Sequence, residues 1–182
     1  MSYTPIVKAA VGNNEYFINL NTNTTDGNVH VLAFLDCFAP YVSSITTRLN
    51  GMPRNFILGL WGLESSWGTY YGQVRRQNWA NISYTDADHP ADNIGSDNSF
   101  AKFPGINAFC NGFVSFFNDR ADPNDAKSQT YKKMLSYCAS TASPSYSVLA
   151  DYLVEAHYNT ESGFKTRLLS CCDLVDKYIS QV

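Results

Sequence analysis

A long polar stretch from Thr69 to Gly105 interrupts a chain whose other residues repeat apolar side chains at helical spacing, and this interruption limits the architectures open to it. Ahead of it, residues 29–49 and 53–67 carry apolar residues on a 3.6 period. After it the period returns at Phe109, Phe113, Phe116 and Phe117, then at Tyr131, Met134, Leu135 and Cys138, and again at Val148, Leu149, Tyr152, Leu153 and Ala156. A last helix carries Phe164, Leu168, Cys171, Val175 and Tyr178. A structureless loop as long as 69–105 is rare in a compact domain and is usually functional, so short hairpin strands are expected inside it. The fold class that follows is α+β, mostly α-helical, with a small polar β-hairpin lobe at 69–105.

With 182 residues, 45% of them hydrophobic, the chain has material for one packed core, so residues 1–182 read as one domain with 1–27 as a peripheral N-terminal segment. Pro40 falls in the middle of the first apolar block and predicts two helices meeting near Ala39. The second helix opens at Pro53 and is expected to stop at Gly68.

A net charge of -3 leaves no broad basic surface to hold nucleic acid. No stretch reads as a bilayer span, so no membrane insertion is expected. The N-terminal residues MSYTPIVKAAVGNNEYF carry one cation, Lys8, and a short apolar patch, which does not read as a signal peptide. Five cysteines, at 37, 110, 138, 171 and 172, show no zinc-type spacing with histidine, so no metal or other cofactor is expected. They read as small buried hydrophobes rather than as disulfides.

One carboxylate stands out. At about 100° per residue, Phe56, Leu60, Leu63 and Trp67 fall within about 60° of one another, and Glu64 projects about 20° from Ile57, inside the wider apolar arc. Burial there disfavours the charged form, and a carboxyl that stays protonated near neutrality can serve as a general acid. The bland alternative is a glutamate paired with an arginine. Trp61, Trp67, Tyr70, Tyr71, Trp79 and Tyr84 crowd the same region. Trp67 fits the core stripe, whereas Tyr71, Trp79 and Tyr84 have the amphipathic rings that suit sugar stacking.

Three ordered segments between about 53 and 176 resemble glycoside hydrolase family 73, the peptidoglycan glucosaminidases of flagellar and autolysin type. The first, LGLWGLESSWG followed by NWANIS, is similar to Leu-Glu-Ser-x-Trp-Gly and then Asn-Asn-Leu-Phe-Gly-Ile, departing from it at Trp79, Ala80 and Asn81. The second, SFAKFPGINAFCNGF, follows the pattern at Phe100, Lys102, Phe103 and Phe113. The third, AHYNTESGFKTRLL, is similar to Gly-Tyr-Ala-Thr-Asp-Pro-x-Tyr-Ala-x-Lys-Ile through Tyr158, Thr160, Phe164 and Leu168.

The resemblance implies a lysozyme-like fold whose groove binds peptidoglycan glycan strands, with Glu64 as general acid and Tyr158 near the reacting sugar. Asn78, Tyr71, Trp79 and Tyr84 are the expected substrate contacts. An inverting reaction needs a second carboxylate, for which Asp86, Asp88, Asp92 and Asp97 in the polar lobe are the candidates. Asp97 is preferred because it lies nearest the returning Phe100 segment; a substrate-assisted route through the acetamido group is the other option. The context expected is an antibacterial effector, secreted without a signal peptide, acting in the target's periplasm or wall and blocked by an immunity protein in the groove. The rival activities are a muramidase of the same fold, a cysteine-dependent amidase or peptidase using His89 or His157 as base, and a glycan-binding module without chemistry.

Overall fold

The computed structural model describes residues 8–11, 14–17, 27–85, 89–120 and 122–182. Two of the lobe carboxylates, Asp86 and Asp88, lie outside them. In chain order the elements are β1 (Lys8–Val11), β2 (Asn14–Phe17), α1 (Gly27–Arg48), α2 (Arg54–Ser65), α3 (Tyr71–Arg76), β3 (Ser96–Asp97), β4 (Phe100–Ala101), α4 (Ile106–Asn118), α5 (Ala126–Ser140), α6 (Tyr146–Glu155) and α7 (Phe164–Tyr178). A 3₁₀ turn, Ile179–Gln181, follows α7. The fold is mostly helical α+β, as its periodicity predicts. β1 and β2 pair antiparallel, Lys8 opposite Phe17, and this hairpin lies beside α4.

The expected break at Pro40 does not occur: α1 runs unbroken with the proline inside it. Pro40 removes one backbone N–H and leaves the carbonyl of Asp36 without its helical partner, at a cost of about 3 kcal/mol. Both residues are exposed, so water reaches the freed carbonyl. Phe34, Leu35, Phe38, Val42 and Ile45 on the other face are fully buried. Each contributes about 1.5–3 kcal/mol, which outweighs the proline. By length and composition α1 is also apolar enough to cross a bilayer, against the expectation that no stretch reads as a span. Half of that window is buried, packed against α2, α4 and α7.

α2 is the central helix. Phe56, Ile57, Leu58, Leu60 and Trp61 are all buried. It crosses α7 at Gly59, where a Cβ would stand 2.8 Å from Cys172 Sγ and 3.1 Å from the Cys172 backbone nitrogen. Only glycine permits that approach, because the obstacle is backbone. The crossing brings the start of α7 toward the C-terminal end of α2.

The polar lobe holds more order than its composition suggests. It contains α3, which the sequence reading did not foresee, and the β3–β4 hairpin with a two-residue turn. Asn98 (φ 51°) and Ser99 (φ 64°) both take left-handed backbone, as a type I′ turn requires.

Candidate functional site

The end of α2 fixes where Glu64 points. The helix stops at Ser66 (φ 49°), two residues before the glycine expected to stop it, and Trp67 and Gly68 continue in left-handed backbone. The N–H of Trp67 bonds back to the Gly62 carbonyl at 2.7 Å. The buried Ser65 hydroxyl donates to the Trp61 carbonyl (2.7 Å) and accepts from the Gly68 N–H (2.9 Å). This turn folds the Trp67 ring over Gly62, where a Cβ would meet it at 2.4 Å, and sets it edge-on to Phe34. Glu64, in the last turn, is thus held at the surface of the core.

Two cavities of about 500 and 400 Å³ meet at Glu64. The first is bordered by Tyr70, Gln73, Arg76 and Arg167, the second by Ser83, Phe116, Lys127 and Tyr158, while Asn81, Phe100, Asn159 and Glu161 border both. Asn159 Nδ2 donates to Glu64 Oε1 at 3.2 Å. Gln73 Nε2 donates to the Glu64 backbone carbonyl (3.0 Å) and to Asn81 Oδ1 (3.2 Å). Burial raises the Glu64 pKa to about 7, and the nearby Glu161 charge adds to the rise. Hydrogen bonds from Asn159 and Asn81, and the charge of Arg167, act in the opposite sense. Burial wins, leaving a carboxyl that still holds its proton in about half of the molecules at neutral pH.

Tyr158 belongs to the same neighbourhood. Its hydroxyl donates to the Ala80 carbonyl at 2.5 Å, and its ring lies parallel to Phe117 with centroids 6.3 Å apart. Burial, with the Glu64 charge second, pushes its pKa well above the ordinary tyrosine value, so it stays a neutral donor.

The other expected site residues separate. Trp79 is fully buried against Phe38, with no face open to a sugar, because the lobe folds its first residues into the core. Asn78 is buried too, and its side chain is spent on backbone: it donates to the Ile82 and Ala101 carbonyls at 2.9 Å each and accepts from the Ile82 N–H at 2.8 Å. It ties the first strand-like segment of the lobe to β4. Tyr71 is 76% exposed and stands outside both cavities; its neighbour Tyr70 borders the first. Tyr84 stacks on His89 at 4.6 Å.

Asp97 also lies outside the two cavities. It pairs with Arg75 and, at 3.2 Å, with Arg76, whose guanidinium lies over the Phe100 ring at 5.0 Å. Asp92, in left-handed backbone, accepts from Asn111 Nδ2 at 2.6 Å. The carboxylate that does share the cavities with Glu64 is Glu161, paired with Arg167 at 2.5 Å. Sequence reasoning confined its search to the polar lobe and missed Glu161, although it lies three residues after Tyr158 in the third motif. Arg76 and Gln73 were missed because α3 is too short to show a period.

The five cysteines are free thiols, four buried and Cys171 partly exposed. Burial pushes Cys110 to about 12 and Cys138 and Cys171 to about 11. A nucleophilic thiol needs the opposite shift, and no cysteine borders either cavity. Among the described residues no cluster of three or more potential metal ligands occurs.

No protein-family model matches the chain, and no curated protein matches it. Among solved structures the chain is similar to one chain of a type VI secretion system effector-immunity complex from Pseudomonas protegens, with a TM-score of 0.60 and 21% identity. The match covers 84% of this chain and 96% of that one. What they share is the fold, a helical domain of nearly the same extent.

Proposed function

We propose that this protein is a peptidoglycan hydrolase cleaving the glycan strand at N-acetylglucosamine linkages, deployed as an antibacterial effector. The observation that carries the reading is Glu64, a carboxyl with a pKa near 7 where two open cavities meet. Cavities on both sides of the acid suit a chain substrate that runs past it.

In this reading Glu64 donates its proton to the glycosidic oxygen as the C1–O bond breaks, and a water adds to C1. The product is a new reducing end, and the water's proton passes to a second carboxylate. Glu161 fills that place in the proposal, since it borders the same cavities as Glu64 while Asp97 lies outside them. Tyr158, a neutral donor beside Glu64, orders the turn at Ala80 and borders the sugar's path. The motif resemblance supplies the substrate class.

The likeness to a chain from an effector-immunity complex supports the effector context. An immunity protein that occludes the groove is the partner this context implies, and the target's periplasm is where the proposed substrate lies. Two measurements test the proposal. Purified sacculi incubated with the protein should yield new reducing ends bearing N-acetylglucosamine by mass spectrometry; N-acetylmuramic acid there would make it a muramidase, and no new ends would refute hydrolysis. Expressed in a Gram-negative host, the chain should be tolerated in the cytoplasm and lyse cells when fused to a periplasmic signal peptide.

A further inference from the structure

Two asparagines stand where the chain departs from the glucosaminidase pattern: Asn81 in place of glycine and Asn159 in place of alanine. Far apart in sequence, they meet at Glu64. Asn159 donates to Glu64 Oε1 at 3.2 Å, and Asn81, which borders the same two cavities, stands near enough for its amide to favour the charged carboxyl.

In each amide the oxygen is engaged elsewhere, which leaves the NH₂ for the carboxyl. The Asn159 oxygen accepts from the Glu161 N–H at 2.9 Å, and the Asn81 oxygen accepts from Gln73 Nε2 at 3.2 Å. With its oxygen engaged, an amide cannot rotate by 180° without breaking that bond. Backbone strengthens the arrangement. Asn81 sits at φ 52°, left-handed backbone in which glycine and asparagine are the favoured residues, so the departure keeps the turn and adds a donor. Asn159 follows a left-handed residue, His157 (φ 51°), in the turn that ends α6.

We propose that Asn81 and Asn159 form a two-amide clamp, a pair of positioning residues that fix the plane of the Glu64 carboxyl in the mouth of the two cavities. The proposal rests on the reading of Glu64 as the acid. The clamp sets two properties of that acid. It removes the torsional freedom that a glutamate at a cavity wall would otherwise have, so the proton is presented in one direction. Because both amides favour the charged form, the clamp also limits how far burial lifts the pKa. The other charged or titratable groups bordering the cavities with Glu64 are Tyr70, Arg76, Lys127, His157, Tyr158, Glu161 and Arg167, and none of them flanks the carboxyl as the two amides do.

The test restores the family residues. N81G keeps a residue suited to φ 52°, and N159A removes the second donor. The Glu64 carboxyl is titrated by ¹³C NMR in protein labelled at glutamate, its resonance assigned by its absence in E64Q, and the kinetics on sacculi are followed across pH. Each variant should move the Glu64 titration to higher pH, the double variant farther still, and the basic limb of the kcat profile should follow. kcat should fall about tenfold, with KM nearly unchanged, because the loss is of orientation. A folded N81G or N159A whose Glu64 titrates as in the parent would overturn the clamp. The titration answers this even if sacculi are not cleaved, which would instead refute the glycosidase reading.

Discussion

The Tyr158 hydroxyl donates to the Ala80 carbonyl across 78 residues of sequence, at 2.5 Å. The bond joins the turn after α6 to the segment that opens the polar lobe, and so joins the two sides of the groove. Tyr158→Phe keeps the ring stacked on Phe117 and leaves the Ala80 carbonyl without this donor. A loss of about 1–2 kcal/mol is expected, read as a fall in Tm of roughly 2–8 °C, with a rate reduced far less than by loss of Glu64. An unchanged Tm would remove Tyr158 from the list of structural ties.

The turn that aims Glu64 depends on Gly62. In Gly62→Ala the new methyl would meet Trp67 Cζ3 at 2.4 Å, so the ring must leave its place over α2. Overpacking of this kind costs about 1–3 kcal/mol, and activity should drop with it because Glu64 lies between the two residues. Gly163→Ala is the control: nothing lies within 4 Å, and its φ of +77° costs backbone strain of about 1 kcal/mol without touching Trp67. Differential scanning calorimetry and rates on sacculi should separate the two.

Asp97 holds Arg75 and Arg76, and through them fastens β3 to α3. Asp97→Asn should therefore loosen the lobe and raise its sensitivity to protease, while kcat falls by less than about tenfold. A loss of a hundredfold or more, of the size expected when a general base or acid is removed, would return Asp97 to the chemistry.

Glu64 also ties stability to pH. Its folded pKa of about 7 lies above the ordinary 4.5, so the folded state binds the proton more tightly than the unfolded chain does. The stability due to this linkage is fully present below about pH 4.5 and is lost as pH rises through 7. Glu64→Gln, always neutral, lacks it. Urea titrations should find the variant gaining on the parent between pH 5 and 8, and parallel curves across that range would contradict the buried acid.

Much of this was legible in the sequence because burial leaves a period. The apolar arcs of α2, α4 and α7 announce those helices, and the place of Glu64 within such an arc announces its environment. Pro40 misled because its effect depends on whether the carbonyl of Asp36 faces water, which a sequence does not state. Trp79 misled in the opposite direction: a tryptophan beside asparagines in a polar stretch looks exposed, yet packing against Phe38 claims it entirely. Arg167, on α7, lies by Glu64 where Gly59 lets that helix approach α2, and Glu161 sits in the turn just before it. That is a tertiary contact of long sequence separation, and local pattern carries no trace of it.

The central claim is that Glu64 delivers the proton that breaks the glycan bond. Glu64→Gln keeps the side-chain volume and an acceptor for Asn159, so circular dichroism and Tm should show a folded protein. The rate at which reducing ends appear in purified sacculi should then fall by about 10²–10⁴ relative to the parent at pH 6. A folded Glu64→Gln protein that releases reducing ends at the parent's rate would contradict it.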